Sequence, residues 1–440
     1  MHNLNLIIMK KYPFIFILFS FLVFQSSSCT DPIDSDGHNI PFRLKSKLKF
    51  VWIKPIYRDT SDIIQTELYF SGDYVAIGTE GYLPENKDKG IAVFHRMTGE
   101  KHPRWNRDPC CILEDNSTEL DDFAIGGDQN EIAFLIDTYH LYAYDIPSGQ
   151  KKWSFYIPVY LPTDQFTMFD DKVYVPYWPE RFGWSTTWAK LARHDMQTGA
   201  QEDLFTMTGV SGYDFLLTSP VGYVDSNNDT LVIGVSQHYN FSNHAKMVWA
   251  YCYNVTQKNM KWENKTFAIS NDHSRNDPQI IGNGKVMIHT MQGVYCFDIE
   301  TGNLVWSKIG LSLSLNRTHL LYDNGRIYCR LDDGVLLCWD AETGMEIWRQ
   351  NRVRFHPLVK ENMVIYNGRL YFNSRDSEGR GVLNCVYAET GELLWRDTGL
   401  YGIMNGFILL DKNLGYLYGY HYGLVYCIDL KHSENIMSPY

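Results

Sequence analysis

A short motif repeated along the chain constrains the fold more than any other feature of the sequence. The stretches CFDIETGNLVW, CWDAETGMEIW, CVYAETGELLW and AYDIPSGQKKW end at Trp306, Trp348, Trp395 and Trp153. Each predicts a strand, a tight turn on a Thr-Gly or Ser-Gly pair, and a second strand, because glycine accepts positive φ without steric cost. The sequence is therefore expected to encode a repeat protein.

Eight copies can be aligned on the glycine position of the turn, which is occupied by Gly99, Gly149, Gly199, Lys258, Gly302, Gly344, Gly391 and Ser433. Successive positions lie 42 to 59 residues apart. That spacing is typical of a four-stranded propeller blade, and no window shows sustained helical periodicity. We predict an all-β fold, an eight-bladed β-propeller of four-stranded antiparallel blades. The main alternative is a sevenfold ring in which the weak third and fourth copies form one distorted blade.

The two ends of the repeat region indicate how the ring closes. The stretch KLKFVWIKP, at residues 47–55, precedes the first copy without strand partners of its own, whereas the eighth copy supplies three strands and then fades. Pairing both ends in one sheet would remove two exposed strand edges. We predict a single propeller over residues 46–440, closed by the N-terminal strand joining the last blade.

The first 28 residues predict an export signal. Lys10 and Lys11 precede an apolar run at residues 14–24, which is too short to span a bilayer, and QSSSC ends at Cys29. The arrangement resembles bacterial lipoprotein signals, which implies lipidation of Cys29 and anchoring in the cell envelope, with the outer membrane as the expected site. Ser26 stands where such signals usually carry leucine, so an ordinary secretory signal is the alternative. Residues 29–45 are polar and aperiodic, as in a flexible tether.

Tryptophan also recurs, eight residues after the aspartate-like position of the motif, at Trp153, Trp262, Trp306, Trp348 and Trp395. The resulting pattern A-x-D-x-x-T-G-x-x-x-W resembles the quinoprotein-like β-propeller family, from about residue 46 to 430. The resemblance implies that these tryptophans dock each blade on the next. Three copies depart from it: Trp105 is displaced by two residues, and Asp203 and Met437 occupy the tryptophan position in the third and eighth copies.

Five cysteines occupy equivalent places in different repeats: Cys252, Cys296, Cys338, Cys385 and Cys427. Residues in different blades cannot pair around a ring, so buried free thiols are expected. Cys329 is expected opposite Cys338 across a hairpin, where the alternative to two free thiols is a strained disulfide.

A quinone-dependent dehydrogenase is the minority interpretation of the sequence. Adjacent cysteines in an exported protein can form a vicinal disulfide, and a similar ring covers the cofactor in quinoprotein alcohol dehydrogenases, which draws attention to Cys110 and Cys111. Such an enzyme would bind pyrroloquinoline quinone with calcium. The segments NRDPCC and NRVRFHP contain suitable residue types, but no calcium ligands can be assigned, so no cofactor, metal or catalytic residue is expected.

The favoured interpretation is a non-catalytic binding or assembly scaffold. Architecture and length resemble the propeller lipoprotein of the outer-membrane β-barrel assembly machinery, which implies envelope proteins as partners. A glycan or peptide receptor is the alternative. Forty basic against 51 acidic residues give a net charge of -11, which disfavours nucleic acid as a partner. We expect a monomer held at the membrane by its N-terminal lipid.

The long loops predict where a partner would bind. Loops between the second and third strands of a blade, and from the fourth strand to the next blade, share one end of a propeller, and here those loops are rich in aromatic and basic residues. The candidate binding residues are Trp178, Arg181, Trp184, Trp188, His238, Tyr239, His273, Arg275, Arg354, His356 and Arg375. The loop with Trp178, Arg181, Trp184 and Trp188 is the strongest candidate.

Overall fold

The computed structural model describes residues 46–56, 66–80, 89–105, 120–137, 140–157, 166–177, 187–240, 242–268, 272, 274, 278–282, 284–311, 313, 320–331, 334–351, 362–375, 381–398, 407–421 and 424–436. All of them lie in one compact unit, Lys45–Tyr440. Strands in this part of the chain form eight antiparallel sheets. The predicted eight-bladed propeller is therefore confirmed, and the sevenfold alternative is wrong.

The strands are numbered in chain order, and four consecutive strands usually make one blade, from the innermost strand outward. The N-terminal strand is β1 (Phe50–Pro55), and blades 1 to 4 contain β2 (Leu68–Ser71), β3 (Tyr74–Glu80), β4 (Lys89–His95); β5 (Leu120–Gly126), β6 (Ile132–Asp137), β7 (His140–Asp145), β8 (Gln150–Tyr156); β9 (Thr167–Phe169), β10 (Lys172–Tyr177), β11 (Trp188–Asp195), β12 (Gln201–Thr208); β13 (Asp214–Leu217), β14 (Val221–Val224), β15 (Thr230–Tyr239), β16 (Lys246–Asn254) and β17 (Asn259–Asn264).

Blades 5 to 8 follow the same order and end in a short helix. They contain β18 (Gln279–Ile281), β19 (Lys285–His289), β20 (Gly293–Asp298), β21 (Leu304–Ile309); β22 (Leu321–Asp323), β23 (Arg326–Arg330), β24 (Leu336–Asp340), β25 (Glu346–Gln350); β26 (Met363–Tyr366), β27 (Arg369–Arg375), β28 (Gly381–Tyr387), β29 (Leu393–Asp397); β30 (Leu409–Asp411), β31 (Tyr416–His421), β32 (Leu424–Asp429) and helix α1 (Leu430–Ile436).

The ring closes through the N-terminal strand. β1 pairs antiparallel with β32 and forms the outer edge of blade 8, as the sequence predicts. Two blades depart from four strands within the described residues. Blade 1 has three, followed by a 3-10 turn at Pro103–Trp105, and in blade 4 both β13 and β14 pair with β15.

The core lies between neighbouring blades rather than at one centre. The middle strands are buried on both faces, so their side chains alternate between the two adjacent seams. Cys329, for example, packs with blade 5 and Cys338 with blade 7. Cys329 lies opposite Leu337, not Cys338, so the predicted cross-strand cysteine contact is wrong. Both thiols are free, as are the other described cysteines.

A tryptophan and a glycine from successive blades lock most of these seams. Trp306 of blade 5 donates its indole N–H to the carbonyl of Ala341 in blade 6 at 3.0 Å, and its ring lies against the turn glycine, Gly344. The same indole bond to the next blade is made by Trp52, Trp105, Trp153, Trp262 and Trp348. The tryptophan of one motif therefore packs against the turn glycine of the motif in the next blade.

Two seams are built differently. Between blades 3 and 4, where Asp203 and Lys258 replace tryptophan and glycine, the Tyr253 hydroxyl donates to the Leu204 carbonyl at 2.9 Å, and Lys258 pairs with Glu202. Between blades 7 and 8, the turn predicted at Ser433 is wrong, because helix α1 occupies that place. No helix in the described residues is both long and apolar enough to cross a bilayer.

Candidate binding rim

Three of the predicted binding residues have described side chains, and all three lie in blades 3 and 4. Trp188 begins β11, directly after the candidate loop, whereas His238 and Tyr239 end β15. These positions share the end of the propeller that carries the loops between second and third strands, which we call the long-loop rim. The opposite end, with the Thr-Gly turns, is the short-turn rim.

A short connection joins the two blades at the long-loop rim. The Gly209 N–H donates to the carbonyl of Thr187, next to Trp188, at 2.8 Å. The N–H of the next residue, Val210, donates to Nδ1 of His238 at 3.5 Å. Gly209 is required here, because a Cβ at this position would lie 2.5 Å from the Cβ of Phe215. The connection therefore places Trp188 and the end of β15 in one surface region.

His238 lies inside this region rather than on its surface. Its ring is 4.0 Å from the Trp249 ring centroid and 4.8 Å from that of Phe215, and only 1% of the residue is exposed. Burial, with a smaller effect of Lys265, lowers its pKa to about 4. The histidine is neutral at pH 7 and supports the rim from below, so a direct contact of His238 with a partner, as the sequence predicts, is not favoured.

The region around the buried histidine contains an exposed tryptophan, two half-buried aromatic rings and two lysines. Trp188 is 37% exposed, and the Lys246 ammonium lies 5.6 Å from the ring centroid of Tyr239. The Lys265 ammonium lies 4.5 Å from the Trp249 ring centroid. Cations held over ring faces keep the rings oriented and leave their edges available for contact. This group offers apolar and aromatic contact area rather than a nucleophile and base pair.

A second buried histidine, His194, lies near the end of β11. Its Nε2 forms a hydrogen bond with the hydroxyl of Tyr177, the last residue of β10, and its ring packs against Phe155 with the ring centroids 4.7 Å apart. Burial lowers the pKa of His194 to about 4 and raises the pKa of Tyr177. Both groups are therefore uncharged at pH 7, and they hold β10 and β11 together through this hydrogen bond.

Sequence analysis missed several residues that shape this rim and the seams. Trp249 and Lys265 lie inside a strand and just after one, with no motif to single them out. Trp52 could have been found, because it precedes the turn glycine Gly99 by about as many residues as Trp153 precedes Gly199. Its indole donates to the Arg96 carbonyl at 2.8 Å, so the closing strand carries a docking tryptophan of its own.

The remaining predicted site residues lie outside the described residues or show only their backbone. Arg375 ends β27, and its side chain is not described. The residues outside are the lipidation candidate and the other predicted rim and disulfide positions, Cys29, Trp178, Arg181, Trp184, His273, Arg275, Arg354, His356, Cys110 and Cys111. Their roles stay predictions.

The His, Cys, Asp and Glu side chains that the structure describes form no group of three that could hold a metal ion. Burial raises the pKa of Cys252, Cys296 and Cys338 to about 12, so these thiols are poor ligands and poor nucleophiles at neutral pH. The expectation that the chain holds no quinone and no calcium stays a prediction.

Parts of the sequence match two known groups of proteins. A family model described as outer membrane protein assembly factor BamB matches residues 290–400. Over 118 residues the chain is 30% identical to a quinohemoprotein alcohol dehydrogenase from Comamonas testosteroni, a match that covers 23% of this chain and only 16% of the dehydrogenase.

Solved structures share the architecture at low sequence identity. BamB from Moraxella catarrhalis superposes with a TM-score of 0.56 and 15% identity, over 87% of this chain and 98% of that one. A europium-containing methanol dehydrogenase gives 0.62 and 11%, over 85% of this chain and 84% of that one. The chain therefore has the fold of an eight-bladed β-propeller, and it resembles BamB in that fold and, over residues 290–400, in sequence.

Proposed function

We propose that this chain is a non-catalytic scaffold of the bacterial cell envelope, exported, held by a lipid on Cys29, and binding other envelope proteins through the long-loop rim of blades 3 and 4. The observation that carries the proposal is the group of oriented rings and cations at this rim. Tryptophan and tyrosine at a surface, held in place by their neighbours, are residue types that dominate protein binding. The match to a BamB family model supports the same conclusion.

The rim is suited to holding a partner and not to transforming it. Its buried histidine, His238, is uncharged and inaccessible, while Trp188 is exposed and Tyr239 half-buried in a surface that the Gly209 connection makes continuous. A surface of this kind gains binding free energy by burying ring area around a few anchors.

The test uses the full chain in its own host, with a photo-crosslinking amino acid at one position at a time. Trp188 and Tyr239 probe the long-loop rim, and the exposed turn residues Thr301 and Thr343 are matched controls on the short-turn rim. We expect crosslinks to envelope proteins from the first pair, at least tenfold above those from the second. Equal labelling from both rims would contradict the proposed binding face.

A quinone-dependent enzyme is the second candidate, favoured by the 30% identity to the dehydrogenase. If it were correct, pyrroloquinoline quinone with calcium would raise the melting temperature of the full chain by mass action, and a Cys110→Ser, Cys111→Ser double variant would reduce that shift. A saturable shift together with absent crosslinks at Trp188 would overturn the scaffold proposal. Crosslinks without a shift would support it.

A further inference from the structure

The seam between blades 7 and 8 lacks the lock that secures its neighbours. Trp395 is 3% exposed, yet its indole Nε1 has no hydrogen-bond partner in the described residues. At an ordinary seam the acceptor is the carbonyl one residue after the aspartate-like position, as with Trp306 and Ala341. Here that residue is Leu430, which begins helix α1, where backbone carbonyls are engaged in helical bonds.

The residues just before β1 occupy this seam instead. The Ser46 hydroxyl donates to a carboxylate oxygen of Asp397 at the end of β29 in blade 7. Leu48 is buried, and the Lys49 N–H donates to the Ser433 hydroxyl in helix α1 at 2.9 Å. The Lys49 carbonyl accepts from the N–H of Asp429, at the end of blade 8. Residues 46–49 therefore contact both blades.

These contacts are well shielded, so they contribute more than surface bonds would. Asp397 is 4% exposed and Ser433 is fully buried, and a buried hydrogen bond costs more to lose than one that water can replace. The seam between blades 3 and 4 also lacks a tryptophan, but its own Tyr253 and Lys258 bridge it. Blades 7 and 8 are joined directly by two hydrogen bonds between Asn362 and the backbone of Ile408, before the first strand of each blade. Residues from the N-terminal end of the chain bridge the same seam in addition.

We infer that residues 46–49 form a latch that holds blades 7 and 8 together in place of the tryptophan and glycine lock, so that releasing the latch loosens the ring first at this seam. The latch directly follows the predicted tether. Tension on the N-terminal segment therefore acts first on the bonds of Ser46 and Lys49, before it reaches the ladder between β1 and β32. The inference does not depend on lipidation or on the proposed binding face.

Hydrogen exchange followed by mass spectrometry on the full chain tests the latch. The Ser46→Ala, Ser433→Ala double variant removes the hydroxyls that bridge to blade 7 and helix α1. We expect amide exchange in β29 and β30 to increase at least tenfold, with β15 and β20 unchanged. Thr301→Ala is the matched control, because it removes a hydroxyl bond to Asp298 in a turn far from the latch. Unchanged exchange in β29 and β30, or an equal rise in all blades, would overturn the latch.

A second pair of variants separates a lost latch from general unfolding. Trp306→Phe removes an indole N–H that is hydrogen-bonded, whereas Trp395→Phe removes one that has no partner. The latch predicts faster exchange across the seam between blades 5 and 6 for the first variant, and wild-type exchange across the seam between blades 7 and 8 for the second. Equal effects of the two substitutions would show that Trp395 locks its seam in the ordinary way and would contradict the inference.

Discussion

The two ends of this propeller follow different rules. On the short-turn rim, six indoles donate to carbonyls of the next blade, and five of the turn glycines pack on tryptophan rings of the previous one. On the long-loop rim, blades 3 and 4 present aromatic residues that fit no repeat. The repeated residues close the ring, because most seams need the same contacts between blades. Residues that depart from the repeat lie at the surface, where packing between blades does not determine the residue type.

The largest effect is expected from truncating a docking tryptophan. Trp306→Ala should lower the free energy of unfolding by about 3–5 kcal/mol, because it empties a seam and leaves the Ala341 carbonyl without its donor. Urea unfolding followed by tryptophan fluorescence measures the change. Ser307→Ala, at the exposed neighbouring position of β21, is the control and should alter stability by less than about 0.5 kcal/mol. Similar losses for both would contradict the docking role.

The turn glycines sharpen the same comparison by separating backbone strain from packing. Gly302 has φ of +72°, and a Cβ there would lie 2.6 Å from the Trp262 ring. Gly325 has φ of +78° but no atom within 4 Å of such a Cβ. Gly325→Ala should cost about 1–3 kcal/mol from strain alone, and Gly302→Ala should cost more, because Trp262 must also move. Equal midpoints in urea would show that the close ring contact contributes nothing.

The fold could be predicted from the sequence because the residues that determine it are close in sequence and recur in most blades. A turn glycine at positive φ and a tryptophan at fixed spacing recur in most blades, so errors in one copy are corrected by the others. The eighth copy shows the limit: Ser433 was predicted to continue the pattern, but helix formation at Leu430 overrides it. Cys329 shows another, since a shift of one residue in strand register moves a side chain to the other face.

The candidate rim was harder to predict, because each of its residues occurs in one blade and not in every repeat. His238 was predicted as a binding residue of the rim, yet Phe215 and Trp249 enclose it. Both faces of β15 are buried, so its sequence shows no alternation of apolar and polar residues. The sequence therefore does not indicate which side chains of β15 pack against which neighbouring blade. Trp249 and Lys265 gain their importance only through pairing across strands and loops, which sequence spacing in a divergent blade does not specify.

A moderate effect of pH is expected from the two buried histidines of blades 3 and 4. Burial lowers the pKa of His194 and His238 to about 4, from an ordinary 6.5. Between these values the unfolded chain binds more protons than the folded chain, so stability falls as the pH is lowered from 6.5 towards 4. Each histidine should contribute a loss of about 1–3 kcal/mol by pH 4, measured by urea unfolding at pH 7, 5.5 and 4.5.

A matched pair of variants assigns this pH dependence. His238→Phe should flatten the profile between pH 6.5 and 4.5, whereas His432→Asn, at an exposed site in helix α1, should leave it unchanged. The carboxylates of Asp195 and Glu202 have pKa values lowered by hydrogen bonds from Lys172 and Arg193. They lose their stabilising effect only as the pH falls below their ordinary values of 3.8 and 4.5. An unaltered profile in His238→Phe would exclude this histidine as a source.

The smallest effect on stability, and the clearest difference between the two rims, is expected from Trp188. Its exposed ring lies at the start of β11, outside the seams, so Trp188→Ala should change the free energy of unfolding by less than about 0.5 kcal/mol. The same substitution should reduce crosslinking from Tyr239 to envelope proteins at least tenfold, because a hot-spot ring is lost from the shared surface. A large loss of stability with unchanged crosslinking would mean that Trp188 packs inside blade 3 and does not bind a partner. The two rims would then not differ in function at the residue where the difference is expected to be largest.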